Sequence, residues 1–193
     1  MKKINITDKI GTAIAYKGCV TIEYFDKIDG KKVINAYNEG QTALFNAIVK
    51  MLSGRDINNI ARPKQIDLFT LVPSTDPSAP KESSVLSRPV AYLVTPVLYI
   101  AEKHVDDKGN ITYTYSNGDN VETDANCIMY SFTIALGNYN SEVDGKEVTT
   151  LKLLGDNNNE NKVFAILDLT KIGSTIKIDT SSNMQIYWRL IFE

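Results

Sequence analysis

One stretch of this chain, residues 38–54, carries helical spacing, while nearly every other apolar segment alternates with period two; few folds are open to such a chain. Asn38 followed by Gln41 is a capping-box pattern, and Gly54 supplies a left-handed stop. Between them Ala43, Leu44, Ala47, Ile48, Met51 and Leu52 recur at helical spacing. Phe45 and Val49 widen the stripe, leaving Thr42, Asn46, Lys50 and Ser53 on the other side. At roughly 1.5–3 kcal/mol per large apolar side chain removed from water, burial of this helix contributes on the order of 10 kcal/mol gross. The expectation is one buried helix over about 39–53, packed as a plug against a β-sheet.

The remaining segments read as strands and turns. Ile4 and Ile6 alternate with polar neighbours, as do Val20, Ile22 and Tyr24. Asp29-Gly30 marks a hairpin turn, so that 32–37 returns antiparallel to the Val20 strand. Residues 65–72 form a strand ended by Pro73. Residues 73–89 hold four prolines, five serines and a threonine, a composition that predicts an extended loop or arm with no packed element. Residues 90–100 are apolar on both alternations, but Pro96 cannot donate to a ladder, which places this strand at an edge, at a bulge or across a bend. A turn at 106–110 sends 111–115 back as a hairpin that reads as solvent-facing. Ile128, Tyr130, Phe132, Ile134 and Leu136 give the cleanest one-faced strand, followed by a turn at Asp144-Gly145. Strands at 151–154 and 163–169 flank a polar loop at 156–161, and Ile176 and Ile178 precede a closing strand with Met184, Ile186, Trp188, Leu190 and Phe192 on one face. About ten short strands at this spacing predict a mainly β fold, a β-sandwich or jelly-roll-like domain spanning 1–193.

Composition narrows the function classes. With 43% hydrophobic and 23% charged residues, 193 residues suffice for one substantial core. The net charge is −2 and no Lys/Arg cluster exceeds a pair, so direct nucleic-acid binding is not expected. No stretch approaches 18 apolar residues, and the Met1-Lys2-Lys3 start leads into no apolar run, so neither a membrane span nor a signal peptide is expected. Cys19 and Cys127 lack metal or disulfide spacing and read as small buried hydrophobes.

The chain offers little chemistry. His104 is its one histidine and reads as a surface residue, outside any Gly-x-Ser-x-Gly or His-Glu-x-x-His frame. Carboxylates crowd the loops at 106–107, 119–124 and 156–160, where a glycan hydrolase would place an acid pair. The Asp-x-Asp-x-Asp-Gly calcium pattern is absent, and solvated turns are the reading preferred; a weak Ca²⁺ or Mg²⁺ site in the loop from Asp156 stays open. No cofactor and no catalytic residue is expected. Ten tyrosines against one tryptophan are the notable excess, since exposed tyrosine suits interfaces and carbohydrate sites. Tyr24, Tyr92 and Tyr130 read as core. Tyr113, Tyr115, Tyr139 and Tyr187 read as interface candidates, with Arg189 alternating alongside Tyr187 on the outer face of the last strand, and Pro77 and Pro80 on the arm.

Two stretches carry a resemblance: Tyr37-Asn38-Glu39-Gly40-Gln41-Thr42-Ala43-Leu44-Phe45, and Ile176-Lys177-Ile178 with Met184-Gln185-Ile186-Tyr187-Trp188-Arg189-Leu190-Ile191-Phe192. They resemble the small β-rich structural proteins of tailed bacteriophage particles, including those of crAss-like and related phages. The resemblance implies a virion subunit, made in the host cytoplasm, that assembles as a symmetric homo-oligomer and binds other head, collar or tail proteins. It carries over no catalytic residue. A carbohydrate- or receptor-binding module of a phage fibre is the alternative, distinguished by solvent-facing aromatics stacked on one sheet face.

Overall fold

In the computed structural model the described residues are 6–7, 13–14, 16–40, 62–74, 81–92, 94–117, 121–157 and 160–192. The first strands are β1 (Ile6–Thr7), β2 (Ala13–Ile14), β3 (Tyr16–Asp26), β4 (Gly30–Gly40), β5 (Arg62–Val72), β6 (Lys81–Ser84) and β7 (Val90–Ala91). They are followed by β8 (Val97–Val105), β9 (Ile111–Ser116), a single helical turn α1 (Val121–Asp124) and β10 (Cys127–Ile134). The chain continues through β11 (Glu147–Val148), β12 (Thr150–Asn157), β13 (Glu160–Asp168), β14 (Ile176–Lys177) and β15 (Met184–Phe192). Among the described residues the protein is mainly β. Ten strands form the antiparallel path β6-β5-β12-β13-β4-β3-β15-β10-β8-β9, and β7 adds to β5.

That sheet curls on itself, because side chains from both ends of the path meet in one core. Val20, Ile22, Phe132, Ile186 and Trp188 from the β3-β15-β10 half join Ile66, Leu68, Leu151, Leu153, Phe164 and Leu167 from the β5-β12-β13 half. Alternation supplies this directly: on β15, Met184, Ile186, Trp188 and Leu190 are buried, while Gln185, Tyr187 and Arg189 on the opposite face are partly exposed. β4 joins the halves, pairing along β3 and, at its end, with β13 through Glu39↔Ile166 and Gly40↔Ala165.

This joint corrects the predicted helix start. Asn38, Glu39 and Gly40 continue β4 instead of capping a helix, and cross-strand pairing overrides the local capping signal. The Asn38 amide, oriented to suit both neighbours, accepts the Trp188 Nε1–H at 2.8 Å and donates to Gly18 O at 2.9 Å. The rest of the predicted helix, residues 41–53, lies outside the described residues.

Local signals account for the turns. The Asp26 carboxylate accepts from the backbone N–H of Ile28 and Asp29 at 2.8 and 3.0 Å, and Gly30 takes a positive φ of 78° that closes the β3–β4 hairpin. The predicted strand over 90–100 divides before Pro96: β7 pairs with β5 in one half and β8, beginning at Val97, with β10 in the other. The predicted arm at 73–89 does not hold over 81–89. β6 pairs with the end of β5, and Val85 and Leu86 enter the core, apolar anchors in an otherwise polar run. Residues 75–80, with Pro77 and Pro80, lie outside the described residues. Leu136 begins a short 3-10 helix beyond β10, and the loop predicted at 156–161 shrinks because β12 runs to Asn157 and β13 begins at Glu160.

Candidate functional site

The outward face of β10, β15, β3 and β4 carries Tyr187 and Arg189, two of the residues predicted to form an interface. Register lines its residues up in rows. Met129, Arg189, Cys19 and Tyr37 form one, Ser131, Tyr187, Thr21 and Asn35 the next, and Thr133, Gln185, Glu23 and Val33 a third. Hydrogen bonds knit the rows: Thr133 Oγ1 donates to Gln185 Oε1 at 2.9 Å and Thr21 Oγ1 to Asn35 Oδ1 at 2.8 Å.

Part of this face is covered by the chain itself. β8 stays on β10 for three residue pairs, and then the β8–β9 hairpin swings across the sheet. Its stem is tied by Asn126, whose side chain accepts from Ala101 N at 2.7 Å and donates to Ala101 O at 3.1 Å. Beneath it Cys19, Ala101, Cys127 and Ile191 form a second small core, against which Tyr99, Tyr113 and Tyr115 pack. The hairpin predicted to be solvent-facing is therefore two-sided: Glu102, His104, Thr112 and Thr114 face water, and Tyr113 and Tyr115 face the sheet. His104 sits exposed, its Nε2 2.9 Å from Thr114 Oγ1.

Cations sit among these rings. The Arg189 guanidinium lies 4.6 Å from the Tyr115 ring centroid and 5.8 Å from that of Tyr187, and its Nη1 donates to Thr21 Oγ1 at 3.0 Å. Arg189 Nε is buried with no hydrogen-bond partner. Lys17 Nζ lies 4.1 Å from the Tyr37 ring and 5.3 Å from that of Tyr113, and the Tyr37 hydroxyl donates to Ile111 O at 2.7 Å. Burial pushes the Cys127 thiol up to about 12 and raises the Tyr115 phenol, holding both neutral.

The structure thus gathers Tyr113, Tyr115, Tyr187 and Arg189 and leaves Tyr139 elsewhere. Tyr139 bridges to Leu86 and packs against the main core, where burial pushes its phenol up to about 12. Among the predicted carboxylate loops, Asp106 serves its own turn: Asn110 and the backbone N–H of Lys108 hydrogen-bond it and lower its carboxyl below the usual range. Among the described residues no cluster of three or more His, Cys, Asp or Glu could hold a metal ion, and no helix is long and apolar enough to cross a membrane.

A second polar group was missed. On the outward face of the other half, Asp67 and Lys152 are direct partners across β5 and β12, and Lys152 Nζ contacts Glu82 Oε2 on β6. Asp67 is only 6% exposed, and burial raises its carboxyl above the usual range. The available signal is a lone charge inside an apolar strand, in Ile66-Asp67-Leu68 and Leu151-Lys152-Leu153. No protein-family model, curated protein or solved structure matches the chain.

Proposed function

We propose that this chain is a structural subunit of a tailed-bacteriophage particle, a β-sandwich or jelly-roll-like domain that assembles as a symmetric oligomer and binds other virion proteins. The observation carrying the reading is the part of the outer face beyond the hairpin, where Val33 is 51% and Phe25 49% exposed and Ile28 at the hairpin tip is 85% exposed. Val33 stands opposite Glu23 and Phe25 opposite Lys31, so these large apolar side chains left in water alternate with the Lys31–Glu23 ion pair, a mixed apolar and charged patch of the kind that marks interaction surfaces. The resemblance at 37–45 and 176–192 supports the same role. The test is the mass of the purified chain by sedimentation, alone and with phage head and tail fractions. A multimer that Val33→Asp and Phe25→Ser dissolve is the expected result; a monomer that joins neither fraction refutes it.

A carbohydrate- or receptor-binding fibre module is the second reading. It draws on Tyr187 set among Ser131, Thr21 and Gln185, an aromatic ring flanked by hydroxyls and an amide on an open sheet face. Glycan binding that Tyr187→Ala abolishes would favour it over assembly.

A further inference from the structure

Near the turn of the β3–β4 hairpin four outward side chains form a two-by-two checkerboard. Glu23 stands opposite Val33 and Phe25 opposite Lys31, so the apolar pair occupies one diagonal and the charged pair the other. The Lys31 ammonium crosses its diagonal to Glu23 Oε2 at 2.9 Å, and the two side chains are 68% and 32% exposed. Phe25 and Val33, on the other diagonal, are each about half exposed.

Such a checkerboard is complementary to its own copy about one axis in the plane of contact. A two-fold axis along the strands would set Glu23 on Val33 of the second copy, and one across the strands would set Glu23 on Phe25; each buries charge against an apolar side chain at a net cost. An axis along the Glu23–Lys31 diagonal would bring each charge onto itself. Along the Phe25–Val33 diagonal every contact is favourable: Phe25 meets Phe25, Val33 meets Val33, and each Glu23 meets Lys31 of the second copy. With strands about 4.8 Å apart and residues i and i+2 about 6.8 Å apart, this diagonal lies about 35° from the strands. The two hairpins would then cross at about 70°, close to the orthogonal class of sheet packing. The unequal spacings leave the off-axis charges about 3 Å out of direct opposition, a gap that Lys and Glu side chains span.

We propose that a second copy of this chain docks on the patch about a two-fold axis parallel to the Phe25–Val33 diagonal, giving an isologous dimer. The inference rests on the reading of this patch as an assembly surface, and it names the partner, the axis and the register. Phe25 and Val33 supply apolar area removed from water, and the charges set the register. Exposed ion pairs contribute little affinity, but like charges brought face to face are excluded. In the dimer every Glu23 lies between Lys31 of its own chain and Lys31 of the second copy, so two separate ion pairs become one network of four charges.

The experiment is charge exchange on the full chain, read by sedimentation equilibrium over a concentration series that extends into the high-micromolar range. The wild-type chain is expected to dimerise. Glu23→Lys presents two ammoniums and Lys31→Glu two carboxylates, so each variant alone should lose at least about tenfold in dimer affinity. An equimolar mixture of the two should form a one-to-one heterodimer at about the wild-type affinity, because every charge then meets its opposite across the axis. The double variant Glu23→Lys, Lys31→Glu keeps an ion pair within the chain and should dimerise as the wild type does. Circular dichroism checks the fold of each variant. A wild-type chain that is monomeric at every concentration overturns the proposal. So do single variants that dimerise as the wild type does, a mixture of folded single variants that stays monomeric, or a folded double variant that stays monomeric. A dimer that passes the exchange but joins neither phage head nor tail fractions supports this proposal and refutes the virion reading, whereas a monomer that joins either fraction refutes this proposal alone.

Discussion

Replacing Asn38 by alanine tests whether this residue ends a strand or begins a helix. In β4 its amide serves two groups, the Trp188 Nε1–H at 2.8 Å and Gly18 O at 2.9 Å, and Trp188 is fully buried. Truncation leaves a donor and an acceptor without their partner. At about 1–3 kcal/mol for each buried polar group stranded, partly offset by relaxation, the expected loss is about 2–4 kcal/mol. An N-cap lost to alanine costs about 1 kcal/mol, so magnitude alone separates the readings only weakly. Coupling to Trp188 separates them well. In a Trp188→Phe background the indole donor is already gone, so Asn38→Ala should cost about 1–2 kcal/mol less than in the wild type. Urea denaturation followed by far-ultraviolet circular dichroism measures all four corners of the cycle, since the variant lacks the single tryptophan a fluorescence assay would need. Additivity within about 0.5 kcal/mol would refute the bond and, with it, the strand assignment at Asn38.

Gly155→Ala should lower stability by about 1–3 kcal/mol, because a Cβ there would stand 2.1 Å from Phe164 Cε2 and 2.8 Å from Arg62 O; an unchanged thermal midpoint would contradict the packing. Cys19 and Cys127 should react slowly with a thiol reagent in the native protein, and Tyr115→Ala should speed the reaction at least about tenfold by uncovering the second core. The Asp144 carboxyl is lowered by the Thr180 N–H and then by Lys27, and that of Asp179 by Ser181, while Lys27 is raised by Asp144. The carboxylates therefore stabilise the fold above their unfolded value of about 3.8 and lose that contribution as pH falls through their lower folded values, whereas Lys27 loses its contribution only as pH rises beyond about 10.5. Thermal melts should show a plateau between these limits and a fall on the acid side that Asp144→Asn and Asp179→Asn reduce. Arg189→Ala should lower the thermal midpoint by stripping a cation from under Tyr115, and Tyr187→Ala should leave it within a few degrees while weakening assembly measured by sedimentation.

Sequence carried the strands whose partners lie nearby. Asp29-Gly30 placed the β3–β4 turn, and alternation on β10 and β15 named the side chains that face the core, including Trp188 and Phe132. Those segments were legible because period two states which residues share a face, and because a short turn fixes register between its own strands. The end of β4 was not. Asn38 and Gln41 satisfy a capping rule in sequence, but the donor and acceptor that occupy Asn38 belong to Trp188 and Gly18, far away in sequence or on a neighbouring strand. A local motif competes poorly with a partner that arrives only when the sheet forms.

Tyr113, Tyr115 and Arg189 show the limit of alternation most directly. The pattern established that Arg189 points away from the main core, and a face bearing Arg and Tyr was expected to be wet or to meet another protein. A third outcome exists when a sheet has a hairpin long enough to fold back. β8 leaves β10 after three pairs, and the next residues cover their own sheet, so the interface signature of Tyr and Arg is partly consumed within the chain. The covering stops between two residues that the pattern treats alike. Arg189 lies under Tyr115, whereas the rows holding Tyr187 and Val33 lie toward the exposed end of the sheet, where Phe25 and Ile28 continue the apolar surface. Assembly contacts, on this reading, begin where the hairpin ends, and the boundary is set by the reach of nine residues of β8 rather than by any feature of β15 itself.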